Sequence, residues 1–260
     1  MAAVGLAALA LVAVGCSRKS DAASPADGDP AARMVATADF GTDQLLDTTV
    51  APGGSVMDGL RSVTAVETAY GGGFVASMLG RGTETSPNAD WFFYVDGIES
   101  PVGAADVTLR DGDVVWWDHH HWQDASGVRG VVGSWPEPFV HVAPKVAADA
   151  PLAATLRAAG ATVVAGAQPF RVRVGSDASL SARDATWRSI AGDPAGAHLA
   201  GGIANGKVVL ILPDGGALAP VDGASAVAVL VPAGTRPADG ALLAVAGLDD
   251  AAARMGAPCA

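Results

Sequence analysis

Residues 91–100 read WFFYVDGIES, and residues 107–118 read VTLRDGDVVWWD. In both stretches aromatic and β-branched residues adjoin an Asp-Gly pair, the dipeptide that supplies the positive φ angles of a tight hairpin turn. The sequence therefore predicts two hairpins and places Trp116 and Trp117 on a strand. Because strand side chains alternate between faces, the two indoles point to opposite sides of the sheet. We expect at most one of them to lie fully in the core.

The residues before this stretch predict a small mixed sheet with one helix. Residues 34–50 alternate weakly and end at an Ala-Pro-Gly-Gly turn, which is typical of a strand. Ser55 is a helix N-cap, and the apolar residues after it recur at helical spacing, which predicts a helix over 56–64. Residues 66–79 favour strands but are broken by three glycines, so they predict a strand pair or an irregular crossing.

This order of elements, with the motifs at 91–97 and 109–116, resembles the C-terminal β-domain of transcobalamin and intrinsic factor. It is also similar to a related bacterial domain family of unknown function. The resemblance covers about residues 38–120, and Asp96 stands where the family usually has Asn. It implies a β-grasp-like domain, which in transcobalamin closes over a corrinoid bound to a separate helical barrel. Nothing here resembles that barrel, so a corrinoid would be bound by this chain alone or beside a partner.

Residues 118–122, DHHHW, are the chemically most unusual segment. Imidazole is the commonest side-chain ligand of transition metals, and it could also supply a lower axial nitrogen to the cobalt of a corrinoid. On a strand, however, His119 and His121 share one face while His120 points away, and no second cluster of ligands has helical spacing. A tight metal site is therefore disfavoured. Two alternatives remain open: a solvated strand end, or a surface that contacts a ligand.

Aromatic side chains on an exposed sheet face would suit a flat apolar macrocycle or a sugar ring, whereas the alternative is packing in the core and on the sheet faces. The candidate ligand-binding residues are the aromatic and histidine side chains of the two strands: Tyr94, Trp116, Trp117, His119, His120, His121 and Trp122.

The first 33 residues predict export. Residues 1–15 are apolar and uncharged, and they are shorter than the roughly 20 residues that span a membrane as a helix, so they are typical of a signal peptide. Residues 13–16, AVGC, resemble a bacterial lipobox, which implies that Cys16 is acylated and becomes the N-terminus on the outer face of the cell membrane. The alternatives are an ordinary signal peptide or an uncleaved anchor. Residues 16–33 are polar and predict a flexible linker. Cys259 has no assigned role, and a disulfide with Cys16 requires the unlipidated alternative.

The composition shifts to Ala, Val and Gly near residue 143. Helices are predicted at 150–159 and 249–255, a short helical stretch at 184–190, and strands at 162–164, 170–174, 207–212, 226–231 and 242–245. The alternation favours a small α/β domain, and the order of motifs is similar to the tail of lipoproteins that carry the transcobalamin-like domain. The predicted organisation is an α+β protein with a signal peptide (1–15), a linker (16–33), a β-grasp-like domain (34–142) and an α/β domain of unknown role (143–260).

Charge and motifs narrow the function classes. The net charge of −11 disfavours a surface for nucleic acid. The sequence has no Gly-x-Ser-x-Gly elbow, dinucleotide fingerprint or phosphate loop, so we expect a binding protein rather than an enzyme, with no cofactor. The leading hypothesis is a lipid-anchored protein that binds a small molecule, with a corrinoid as the candidate ligand, for a membrane uptake system. The alternatives are a scaffold or adhesion module that binds another surface protein along a sheet edge, and a metal-dependent enzyme that uses His119, His120 and His121.

Overall fold

The computed structural model describes residues 30–82, 88–122, 127–211 and 218–257. The predicted signal peptide, Cys16, most of the predicted linker and Cys259 lie outside these residues. Among these residues, the strands and the α-helix of the first half are β1 (Ala32–Ala38), β2 (Asp43–Val50), α1 (Val56–Val63), β3 (Val66–Ala69), β4 (Phe74–Met78), β5 (Arg81–Gly82), β6 (Ala89–Val95), β7 (Ile98–Glu99) and β8 (Val114–His121).

The main sheet of the first half has the strand order β2-β1-β8-β6-β7. β1 and β8 are parallel, whereas β1 pairs with β2 and β6 pairs with both β8 and β7 in the antiparallel sense. β3, β4 and β5 form a separate three-stranded sheet, so the glycine-broken segment is a strand pair, one of the two predicted alternatives.

Helix α1 confirms the predicted helix and its cap. The Ser55 hydroxyl accepts from the Asp58 N–H at 3.1 Å, and the Asp58 carboxylate accepts in return from the Ser55 N–H at 3.0 Å. This reciprocal pair satisfies two of the amides that a helix start leaves without partners. The helix buries Val56, Met57 and Leu60 against the sheet.

Only the first of the two predicted hairpins exists. β6 and β7 are joined by the Asp96-Gly97 turn, as predicted. The second prediction is wrong, because residues 107–110 pair with the start of α1 instead: the Leu109 N–H donates to the Gly54 carbonyl at 2.9 Å, and the Gly53 N–H donates to the Leu109 carbonyl at 2.8 Å. β8 is therefore free to lie between β1 and β6, at the centre of the sheet.

The second half is built on a four-stranded sheet of order β14-β15-β10-β9 and a three-stranded sheet of order β11-β12-β13. β10 is parallel to both neighbours, and β14 is antiparallel to β15. Its elements are β9 (Val146–Ala148), α2 (Ala150–Ala158), β10 (Phe170–Ser176), α3 (Asp177–Arg183), α4 (Ala185–Ile190), β11 (Gly201–Ala204), β12 (Lys207–Leu210), β13 (Ala219–Pro220), β14 (Ala226–Pro232), β15 (Ala241–Gly247) and α5 (Asp250–Gly256).

Most second-half predictions are confirmed to within two residues at their ends, and residue 212 of the predicted strand 207–212 lies outside the described residues. The exception among the strands is 162–164, which forms only a single bridge, from Val163 to Val146. β9, β11, β13 and α3 were not predicted. β9 and β13 are only three and two residues long, but β11 is joined to β12 by Asn205-Gly206, a typical hairpin turn, and α3 begins after the N-cap Ser176, so both of these elements carried a local signal. The described residues together form an α+β fold.

The two faces of the main sheet are both covered, and this corrects the expectation for the tryptophans. Trp117 packs with Met57 and Leu60 of α1 in one core, whereas Trp116 packs with Val128 and Val131 in another. The two indoles are only 2% and 4% exposed. Both are buried because the segment that leads into the second half lies over the face opposite α1. We call these the helix face and the junction face.

Close packing at the junction face extends into the second half. Gly133 lies flat against Trp116, since a Cβ there would come within 3.2 Å of the indole. Phe139 is fully buried and shares a core with Leu156 and Phe170. The segment 128–143 is therefore held on one side by the first sheet and on the other by the second half.

Candidate functional site

The register of β8 divides the seven predicted binding residues between the two faces. Trp116 and His120 lie on the junction face, with Tyr94 opposite Trp116 on β6. Trp117, His119 and His121 lie on the helix face. Trp122 follows the strand end. The structure therefore does not bring the seven side chains to one surface, and five of them are buried: Tyr94, Trp116, Trp117, His119 and His120.

Asp118 and His120 form a buried polar pair on the junction face. The His120 Nδ1 lies 2.8 Å from the Asp118 Oδ2, and since a carboxylate only accepts, Nδ1 carries the proton. The His120 ring is stacked between Phe40 and Phe92, with centroid distances of 4.2 and 4.3 Å. This imidazole is held in one orientation by its packing and its hydrogen bond.

The turn between β1 and β2 wraps around the Asp118 carboxylate. The N–H groups of Phe40 and Gly41 donate to it at 2.9 and 3.3 Å, and the Thr37 hydroxyl donates as well. Phe40 and Gly41 both have positive φ angles, which directs their amides toward the carboxylate. Four donors thus surround a carboxylate that is fully buried, as a buried charge requires. The pair is a structural device that fixes the end of β8.

His119 lies on the opposite face, beside Trp91 at a ring-centroid distance of 5.1 Å. Burial lowers the pKa of His119 to about 4, and the Arg81 cation adds to this effect. Its Nε2 is buried and has no hydrogen-bond partner in the described part of the chain. His119 is therefore a neutral core histidine at neutral pH.

The end of β8 is the part of the predicted set that reaches the surface. His121 is partly exposed, and the Trp122 side chain is 37% exposed. Asp90 lies opposite His120 in the register of β6 and β8, so it is on the junction face, across the sheet from His121. Its carboxylate interacts with the Trp122 side chain and has a buried oxygen, Oδ1, that lacks a partner among the described residues. Burial raises the pKa of Asp90, although the hydrogen bond from Trp122 opposes the shift. We call Asp90, His121 and Trp122 the strand-end site.

The described residues contain no group of three or more His, Cys, Asp or Glu side chains placed to hold a metal ion. The histidine run fails in this respect because its members alternate between faces and two of them are buried. The described part of the chain therefore offers no preformed metal site for the hypothesis of a metal-dependent enzyme.

The sequence analysis missed Asp90, Thr37 and Phe40. Asp90 had one available signal, its position one residue before the aromatic run, which places it next to the strand end of a neighbouring strand. Thr37 and Phe40 had none, since they lie about 80 residues before Asp118 and His120, the residues that they contact.

The fold and the site define an α+β protein in which an indole and a carboxylate lie on one side of the end of β8 and a partly exposed imidazole lies on the other. Within it, residues 53–121 match the model of a family described as a domain of unknown function, DUF4430. The matched region runs from the turn before α1 to the last residue of β8, and it includes the strand-end site up to His121. No curated protein matches the chain.

Among solved structures, the chain is similar to a Ruminococcus gnavus ATCC 29149 protein described provisionally as metal-binding. The sequence identity is 11%, the TM-score is 0.30, and the match covers 36% of this chain and 98% of the other. Within the described ranges, every helix is too short or too polar to cross a membrane.

Proposed function

We propose that the protein is an exported, lipid-anchored module that binds a small molecule at the strand-end site, without catalysis. The observation that carries this proposal is the exposure pattern along β8. Of the seven candidate residues, only the neighbouring His121 and Trp122 are open to a ligand. The exposed indole of Trp122 and the partly buried carboxylate of Asp90 supply stacking area and a polar group on one side of the strand end, and the His121 imidazole is partly exposed on the other side, so a ligand would have to reach around the end of β8 to contact all three.

A corrinoid is the ligand class that this site fits best. Cobalt binds imidazole nitrogen, and His121 is the one imidazole of the run that is accessible, since His119 and His120 are buried. The indole of Trp122 offers a flat surface for the edge of the macrocycle. The resemblance to transcobalamin supports the same class, as does the parallel pairing of β1 with β8 around a single helix, an arrangement typical of a β-grasp domain.

Titration of the chain from Ser17 to Ala260 with hydroxocobalamin tests this proposal. We expect binding at micromolar affinity or tighter, with a shift in the visible corrin spectrum that is lost in His121→Ala. Cyanocobalamin, whose upper axial position is blocked, should bind without the same shift. The matched control is His198→Ala, which removes another exposed imidazole and should leave the titration unchanged. Absence of binding, or an equal effect of both variants, would contradict the corrinoid proposal.

The proposed anchor depends on Cys16, the residue that the lipobox resemblance marks for acylation. We expect the full-length chain to fractionate with the membrane of a bacterial host and to release its diacylglycerol-modified N-terminus only under detergent. Cys16→Ser should move the protein to the soluble extracytoplasmic fraction, whereas Cys259→Ser should not. Equal membrane association of Cys16→Ser and the unchanged chain would overturn lipid anchoring.

A specific feature also favours the scaffold alternative. β2 is the terminal strand of the main sheet and is eight residues long, so it offers a template on which a partner strand could add. A stoichiometric protein partner whose binding is abolished by a proline at Thr48, with no small molecule carried through purification, would support this function over ligand binding.

A further inference from the structure

A cluster of ionisable groups lies where the first sheet meets the segment that leads into the second half. Asp96, in the turn between β6 and β7, is only 2% exposed. Its Oδ1 accepts from the Val114 N–H at 2.9 Å, and its own N–H donates to the Val114 carbonyl at the same distance. Asp96 thus ties the end of β6 to the start of β8.

Two further buried carboxylates face Asp96. Asp113 precedes β8 and accepts from the Arg110 N–H at 2.7 Å. Glu137 belongs to the segment 128–143 that leads into the second half, which we call the joining segment. Its carboxylate accepts from the backbone N–H and the Nδ1 of His141, at 3.0 and 2.5 Å. The charged groups that act on this cluster from the surrounding elements are Asp111, Arg110 and His141. We call Asp96, Asp113, Glu137 and His141 the junction cluster.

The cluster favours bound protons. The pKa of Asp96 is raised to about 7, mainly by burial and also by the charges of Asp113 and Glu137, while the hydrogen bond from Val114 and the charge of His141 oppose the rise. Burial also raises the pKa of Asp113. Burial alone would lower the pKa of His141, but its hydrogen bond to Glu137 and the charge of that carboxylate outweigh burial and raise it. All three pKa values are raised, so each group holds its proton to a higher pH than it would in water.

The cluster lies where the β6–β7 turn contacts the joining segment, so a change in its protonation acts on that contact. Immediately beside Asp96, the Gly97 carbonyl accepts from the Val131 N–H at 2.9 Å, and a Cβ on Gly97 would come within 2.7 Å of the Val131 carbonyl. The turn and the joining segment are therefore in direct backbone contact. Because Phe139 of the same segment is anchored in the core of the second half, a change at the turn is transmitted to both halves.

We propose that the junction cluster is a pH-sensitive latch, which holds the joining segment against the β6–β7 turn while Asp96 is protonated and loosens when that proton leaves. An ionised Asp96 would place a third negative charge among buried carboxylates that have one imidazole and one guanidinium to balance them. Separation of the segment from the turn admits water and relieves this repulsion.

The direction of the pH dependence follows from the two states of Asp96. In the closed state its pKa is about 7, and in an opened, hydrated state it returns toward the ordinary value of 3.8. Between these values the closed state holds one more proton, so opening becomes up to roughly tenfold easier per pH unit as the pH rises, and it levels off above pH 7.

Global stability is a poor readout, because His119 opposes this trend. Its pKa is about 4 when folded and 6.5 when free, so its contribution is present above pH 6.5 and is lost as the pH falls toward 4. Between about pH 4 and 6.5, the contributions of Asp96 and His119 to the free energy of unfolding change with pH in opposite directions and cancel. The latch is therefore to be measured locally.

Amide hydrogen exchange of the segment 128–143 in the whole chain provides that measurement, corrected for the intrinsic pH dependence of exchange. We expect protection of this segment to fall at least tenfold between pH 5 and 7, while protection of β10 and β15 stays constant. In Asp96→Asn the side chain still accepts from the Val114 N–H but has no proton to lose, so the dependence should disappear. Asp106→Asn, at an exposed position, is the matched control.

Three outcomes would overturn the latch: constant protection of 128–143 across this range in the unchanged chain, the same pH dependence in Asp96→Asn, or a carboxyl carbon resonance of Asp96 that titrates below pH 5. Since Asp96→Asn preserves the turn and its hydrogen bond, these readouts stay interpretable without a loss of folding.

Discussion

Replacement of Asp118 by alanine should lower the free energy of unfolding by about 3–5 kcal/mol, because it removes one partner of a buried charged network. The N–H groups of Phe40 and Gly41, the Thr37 hydroxyl and the His120 Nδ1 all donate to this carboxylate. Without it, four donors lose their acceptor, and the three that are buried, on Thr37, Phe40 and His120, cannot replace it with water and therefore cost free energy. Urea denaturation at pH 7 measures the loss.

Two further variants calibrate this result. Asp118→Asn retains one acceptor oxygen in place of two and should give an intermediate loss. Asp106→Ala, at an exposed carboxylate, should stay within about 0.5 kcal/mol of the unchanged chain. A loss below about 1 kcal/mol for Asp118→Ala would mean that the turn at residues 39–41 does not enclose the carboxylate.

Trp116→Ala and Trp117→Ala should each destabilise the protein by about 3–5 kcal/mol, the usual cost of a large aromatic side chain removed from a core. Both indoles are buried, one under the joining segment and one under α1. Trp117 also loses its stacking on Phe93, at a centroid distance of 4.8 Å. The same denaturation experiment measures both variants.

The comparison of the stability losses of Trp116→Ala and Trp117→Ala tests whether both faces of the main sheet are covered. If the junction face were open to solvent, Trp116→Ala would cost far less than Trp117→Ala. Trp122→Ala serves as the control, since its partly exposed side chain should contribute less than either. Equal large losses for Trp116 and Trp117 support a sheet covered on both sides, whereas a Trp116→Ala loss of about 1 kcal/mol or less would refute it.

Local signals in the sequence predicted several of the elements that are defined by neighbouring residues, although the Asn205-Gly206 turn after β11 and the Ser176 cap of α3 were not used. The Ser55 cap and the apolar spacing after it predicted α1, and the Asp96-Gly97 pair predicted the turn between β6 and β7. These features depend on contacts within a few residues. The same local logic failed for Asp111-Gly112, because residues 107–110 are paired with the start of α1, which no local pattern encodes.

The candidate site was less accessible to prediction. Alternation along a strand correctly placed His119 and His121 on one face and His120 on the other, but it could not show what covers each face. The burial of His120 depends on Phe40, and that of Trp116 depends on residues 128–133. Such coverage arises from contacts between distant parts of the chain, so exposure was the property that the sequence could not supply.

The central claim is that a ligand binds at the strand end of β8. The most direct test follows the six tryptophan indole N–H resonances of the chain from Ser17 to Ala260 while hydroxocobalamin is added. We predict a saturable shift of the Trp122 resonance, with the buried Trp117 and Trp187 resonances unchanged. Saturation with no shift at Trp122, or a response confined to Trp135 and Trp187, would contradict the account.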